Sequence, residues 1–240
     1  MAHLLVPSRF RGPATSGNGG WTAGALAALT DLDPAAGVTV SLRRPPALDT
    51  PMPVSRVDDT TVASRDGEPV AQAGPADSEP ALADPVPPAE ARAAEATYAG
   101  LVFHPFPTCF SCGVGRTEGD GLRIFPGRVP DQDGAARVAA TWTPHPSVGV
   151  DDHVTGPVTW AALDCVGGWA GDLEERLMVL ARMTAWIDAA PRIGEEHVVV
   201  GLARGTEGRK TFTASTLYDA DGRVVARAQH VWVAVSTTDF

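Results

Sequence analysis

A lone acid inside an apolar run is the first residue to suggest chemistry in this 240-residue chain. It is Asp164, within Thr155-Gly156-Pro157-Val158-Thr159-Trp160-Ala161-Ala162-Leu163-Asp164-Cys165-Val166-Gly167-Gly168. A buried carboxylate without a partner is costly, so such an acid is either paired or at work as a base or nucleophile. Asn18-Gly19-Gly20 lies in a Gly/Ser/Asn cluster that signals a turn ahead of a helix. Cys109 and Cys112 could bind zinc with His104, but Cys165 is the only other thiol and no second Cys-x-x-Cys pair exists. No metal is therefore expected, and Cys165 reads as a buried packing residue. His145 and His153 flank the segment before Gly156, where either could help to bind a substrate. His230 alternates with apolar neighbours and is expected to face solvent or a strand partner.

These residues need elements to position them. Gly156-Pro157 opens a helix well, because proline is preorganised for the first helical turn. The residues after it are apolar almost all round, the mark of a helix wrapped by other structure. Trp21 to Leu29 reads as a helix of small and apolar residues with Asn18 as its N-cap. Val38 to Leu42 alternates like a strand, and Met52 to Asp58 is another. Thr60 to Ala63 and Glu68 to Ala73 form a hairpin about Asp66-Gly67. Leu122 to Phe125, Ala136 to Trp142, Leu177 to Ile187, His197 to Arg204, Lys210 to Tyr218 and Val224 to Val235 complete the expected strands.

Residues 74–96 are Ala, Pro and acid with little to bury, which predicts a linker carrying a short helix from Pro88 to Ala96. The order helix, strand, strand, hairpin occurs on both sides of it. The second hairpin, Ala220-Asp221-Gly222-Arg223-Val224-Val225-Ala226, resembles Arg65-Asp66-Gly67-Glu68-Pro69-Val70-Ala71. Two copies of one module follow from this order. The expected divisions are 1–74, a linker at 75–100, and 101–240.

Composition narrows the partners. A net charge of −10 argues against a nucleic-acid backbone. No apolar run reaches the length of a membrane span. The first residues lack the basic region and apolar length of a signal peptide, so a cytoplasmic location is expected.

Cys109-Phe110-Ser111-Cys112-Gly113, followed by Gly119-Asp120-Gly121-Leu122, resembles the opening motif of many hotdog-fold thioesterase-like proteins. The spacing from Gly156 to Asp164 is similar to the helix-start glycine and catalytic aspartate of phenylacetate-pathway-type acyl-CoA thioesterases. The resemblance covers nearly the whole chain. It implies an α+β double hotdog: two antiparallel sheets, each wrapping a long central helix, joined as a pseudo-dimer in one chain. It further implies hydrolysis of an acyl-CoA thioester with no cofactor, by an acid on one helix facing the glycine amide of the other.

Matching position by position, Gly19 corresponds to Gly156, and the first repeat's acid would fall at Ala27, which cannot do this chemistry. One competent site is expected, Asp164 facing Asn18, Gly19 and Gly20, with a dead reciprocal at Thr155-Gly156-Pro157. Thr155, Gly156, Trp160 and His153 are the expected substrate-binding residues. Arg43, Arg44, Arg209 and Lys210 sit where CoA phosphates could bind, although a solvated-charge role is the favoured reading for them. The competing readings are a non-catalytic acyl- or CoA-binding protein, and a hotdog dehydratase, which usually needs a histidine where Thr155 stands. A fused pair needs no partner, yet a homodimer through an exposed sheet edge is allowed.

Overall fold

The computed structural model describes residues 2–236. Among these, α1 is Gly19–Ala27, α2 is Pro88–Ala94 and α3 is Gly156–Ala170. Strands β1 (His3–Leu4), β2 (Val38–Leu42), β3 (Met52–Val57), β4 (Thr60–Arg65) and β5 (Glu68–Pro75) precede α2. Strands β6 (Gly127–Gln132) and β7 (Ala135–Trp142) follow it, and the short pair β8 (Gly149–Val150) and β9 (His153–Val154) leads into α3. After α3 come β10 (Met178–Ile187), β11 (His197–Glu207), β12 (Lys210–Tyr218) and β13 (Val224–Ala234).

The strands do not form two separate sheets. Eleven of them make one antiparallel sheet in the order β1-β3-β4-β5-β2-β10-β13-β12-β11-β7-β6. The join is the pairing of β2 with β10, from Arg182 opposite Ser41 to Ala185 opposite Val38. Each of these strands would otherwise be an open edge with unpaired N–H and C=O groups, and pairing removes both edges at once. Thr39 and Thr184 reinforce the join through a 2.9 Å hydroxyl contact. The expectation of two long helices is corrected as well. Only α3, with 15 residues, is long, whereas α1 has nine.

Local chemistry explains most boundaries. Asn18 caps α1, its side-chain oxygen accepting from Trp21 N at 2.8 Å. Asp66 and Gly67 both have positive φ, as the tight turn between β4 and β5 requires. Leu122 to Phe125 is not a strand. This irregular stretch spends its amides on Phe110 and Ser111 carbonyls instead. Residues 75–100 are not a free tether either. Ala83, Val86, Ala91 and Ala94 are buried against Val198, Val200, Leu202 and Tyr218.

Helices α1 and α3 lie on one face of the sheet and pack antiparallel, with Gly20 against Asp164 and Gly24 against Pro157 and Trp160. Every residue from Val158 to Ala170 is buried, so α3 is the centre of the core. His230 is buried too, so of its two expected surroundings it has a strand partner, Thr213 of β12, and not solvent. A β-carbon added at Gly167 would lie 2.7 Å from His230 Nδ1, which places the ring under α3. Thr213 Oγ1 accepts from Trp232 Nε1 at 2.9 Å and can donate to His230 Nδ1 at 3.1 Å, leaving the imidazole neutral.

Burial pushes the His230 pKa down to about 4. A histidine depressed from its unfolded value of 6.5 supports the fold fully above that value, and its contribution is lost as pH falls toward 4. That difference corresponds to roughly 3 kcal/mol. In urea titrations at pH 7 and pH 4.5, His230→Gln is expected to lose about 2 kcal/mol less on acidification than the native chain. Equal losses would show that His230 does not carry this acid sensitivity.

Candidate active site

Asp164 stands about midway along α3 and reaches the first turn of α1. Its Oδ2 accepts from the Gly20 amide at 2.8 Å and from Asn18 Nδ2 at 3.0 Å. The pair of helices can come this close because Gly20 has no side chain. A β-carbon there would lie 2.5 Å from Asp164 Cβ and 2.7 Å from the Trp160 carbonyl oxygen. Asn18 therefore does two jobs, capping α1 with its oxygen and binding Asp164 with its nitrogen.

The other carboxylate oxygen, Oδ1, is buried with no hydrogen-bond partner among the described residues. Burial pushes the Asp164 pKa up to about 7; the Gly20 amide and Asn18 pull it down, and nearby Cys109 raises it. A carboxyl in that state can accept a proton at neutral pH and later return it.

The first-turn amides of α1 are otherwise divided clearly. Trp21 N goes to Asn18 Oδ1 and Thr22 N to the Asn18 carbonyl. Gly20 N is committed to Asp164, so it is not free to polarise a substrate. Gly19 N, the first of the helix, has no acceptor among the described residues.

These groups open on a cavity of about 440 Å³. Asn18, Gly19, Asp164, Cys109, Cys112 and Cys165 line it together with apolar residues that include Phe106, Leu173, Met178, Leu180 and Trp232. Arg43 and Arg44, on the segment leaving β2, also line it. Arg44 pairs with Glu68 at 2.9 Å, and Arg43 Nε donates to Gln72 at 3.3 Å.

Asp164, Asn18, Gly19 and Gly20 thus come together. The other expected residues do not line this cavity. Trp160 is buried between the helices, against Gly20 and Gly24. His153 is exposed and its ring meets the Asp151 carbonyl at 3.0 Å. Thr155 begins α3 without a side-chain cap, and Gly156 has open space beside it. The N-terminus of α3 meets α1 at Gly24, and α1 itself carries no acid.

Sequence reasoning missed the cavity walls, which come from six separate segments, and the convergence of the three thiols. One signal was present for the latter, the adjacency of Cys165 to Asp164.

No protein-family model matches the chain, and no curated protein matches it in sequence. Solved structures do match in fold. A hotdog-fold protein of unknown function from Alicyclobacillus acidocaldarius is 15% identical over 98% of this chain and 92% of its own, with a TM-score of 0.61. A candidate thioesterase from Novosphingobium aromaticivorans is 15% identical over 98% and 95%, at 0.63. The acyl-CoA thioesterase II TesB2 of Mycobacterium marinum is 15% identical over 92% and 91%, at 0.58. At this level of identity the likeness is one of fold, and the chain has the hotdog fold.

Proposed function

We propose that the chain is a double hotdog, two modules fused as a pseudo-dimer, that hydrolyses an acyl-CoA thioester at a single site between them. The observation that carries this is Asp164 of α3 meeting the start of α1 beside a largely apolar cavity. The named thioesterases of the same fold support it at the level of the fold.

The apolar walls receive the acyl chain, and the thioester carbonyl lies toward the Gly19 amide. Asp164 takes a proton from water through its unpartnered Oδ1 as the water oxygen bonds to the carbonyl carbon. The negative charge on the former carbonyl oxygen is met by the Gly19 N–H and the positive end of the α1 dipole. Collapse of the intermediate breaks the carbon–sulfur bond. The proton held by Asp164 passes to the departing thiolate, giving the carboxylic acid and the free thiol. The mechanism uses no cofactor.

Turnover of a panel of acyl-CoA esters, followed by release of free thiol, tests the function. Hydrolysis of at least one chain length is expected; saturable binding with no turnover on any of them would instead identify a binding protein. Arg43 and Arg44 bracket the cavity from the β2 side and suit the phosphates of CoA. Reversing both, Arg43→Glu with Arg44→Glu, is expected to raise KM for acyl-CoA about 100-fold or more, since each of the two lost charge-assisted contacts is worth about 1.5 kcal/mol or more. The same acyl group on N-acetylcysteamine, which lacks phosphates, should show an unchanged KM. An equal rise for both esters would place the CoA moiety elsewhere.

A further inference from the structure

Three sulfur atoms that the hydrolysis does not use meet in the wall of the same cavity. The Sγ atoms of Cys109, Cys112 and Cys165 all lie within 4.8 Å of one another, and Cys109 and Cys165 are 3.5 Å apart. Each is a free, buried thiol. Tetrahedral coordination with Zn–S bonds near 2.3 Å sets neighbouring sulfurs about 3.8 Å apart. The 3.5 Å Cys109–Cys165 separation is close to that value, and no pair exceeds it by more than about 1 Å.

The surrounding residues hold the sulfurs from two elements remote in sequence. After Cys112 the chain folds straight back. The Gly113 amide donates to the Cys109 carbonyl at 2.9 Å, and a β-carbon at Gly113 would lie only 2.5 Å from that oxygen. The Cys112 carbonyl is gripped twice, by Tyr98 Oη and His104 Nε2, each at 3.1 Å. His104 Nδ1 accepts from Phe106 N, so this histidine has spent both nitrogens and is not a ligand. Ser111 Oγ donates to the Ala161 carbonyl, pinning the loop to α3 one turn before Cys165. Asn18 Nδ2 faces Cys109 and Cys165 at 3.7 and 3.9 Å.

We propose that Cys109, Cys112 and Cys165 form a three-thiolate site for a borderline-soft divalent ion of the zinc class, its fourth position open to the cavity. Sulfur ligands select such an ion over magnesium or calcium. As each S–H becomes S–Zn it releases its proton to solvent, and no electrons are exchanged. The filled site carries one net negative charge, offset by Asn18 Nδ2 and the nearby start of α1. The ion would tie the 106–125 loop to α3 immediately beside Asp164. The inference rests on the sulfur geometry and stands apart from the thioesterase reading.

Zinc bound to the purified full-length protein, measured by mass spectrometry of the metal after exposure to Zn²⁺ and dialysis against a chelating resin, tests it. One zinc per chain is expected. With Co²⁺ instead, thiolate-to-cobalt charge-transfer bands with the strength of three sulfurs should accompany tetrahedral visible bands. Cys109→Ser, Cys112→Ser and Cys165→Ser should each weaken binding by more than the roughly 100-fold that loss of a supporting residue costs. Asp164→Asn should keep its zinc, which separates this site from hydrolysis. Absence of zinc with three reduced thiols, or with a Cys109–Cys165 disulfide, overturns the proposal, as does zinc that survives loss of all three cysteines. If the serine variants fail to fold, the cobalt spectrum of the native chain decides alone.

Discussion

Asp164→Asn is expected to lower kcat for acyl-CoA about 1,000-fold while leaving the fold intact, the loss usual for removing a general base. The substitution is nearly isosteric. Its amide oxygen can still accept from Gly20 N and Asn18 Nδ2, which now converge on Oδ2 at 2.8 and 3.0 Å. The new NH₂ takes the place of Oδ1, which makes no hydrogen bond. Thermal stability at neutral pH should hold or rise slightly, because no charge remains to be buried. Acyl-CoA should still bind, with a dissociation constant changed by no more than a few-fold. Turnover equal to that of the native chain would remove Asp164 from the mechanism, whereas a collapse of the melting transition would make the residue structural.

The second large effect belongs to a residue that carries no functional group. Gly20→Ala places a methyl 2.5 Å from Asp164 Cβ and 2.7 Å from the Trp160 carbonyl oxygen, and a backbone atom cannot swing aside. The helices must separate, at a cost of about 2 kcal/mol or more, less whatever alanine returns in helix propensity. Separation also draws Asp164 off the α1 amides, so activity should fall even in the folded fraction. Gly156→Ala is the matching control. Nothing lies within 4 Å of its added methyl, and its stability should be equal or up to about 0.5 kcal/mol higher. Urea midpoints and kcat for the two variants check this. Similar behaviour of both would mean that the helix crossing does not position the acid.

The difference between these glycines shows where sequence reasoning stops. Both lie in the first turn of a helix, one position apart in the alignment that pairs Gly19 with Gly156. Only their surroundings set Gly20, pressed onto Asp164, apart from Gly156 in open space. The chain's elements were readable because their signals are local. Asn18 followed by small and apolar residues marks a capped helix, Gly156-Pro157 marks another, and Asp66-Gly67 turns a hairpin through two positive φ angles. Leu122 to Phe125 misled for the same reason, since its apolar run looks like a strand while its amides are used by a neighbouring loop.

What the sequence by itself determined is therefore most of the elements and the solitary acid on a buried helix, while the candidate partner at Asn18-Gly19-Gly20 came from the family resemblance. The elements and the acid follow from capping, periodicity and the cost of burying charge, all of which act over a few residues. The tertiary structure alone decided the rest. It joined eleven strands into one sheet through β2 and β10, committed the Gly20 amide to Asp164 and left that of Gly19 without an acceptor among the described residues. It also gathered Cys109, Cys112 and Cys165 around one point. Each of these depends on pairing or packing between segments far apart in the chain. Such contacts are set by how edges and faces fit together in space, which residue order alone does not encode locally.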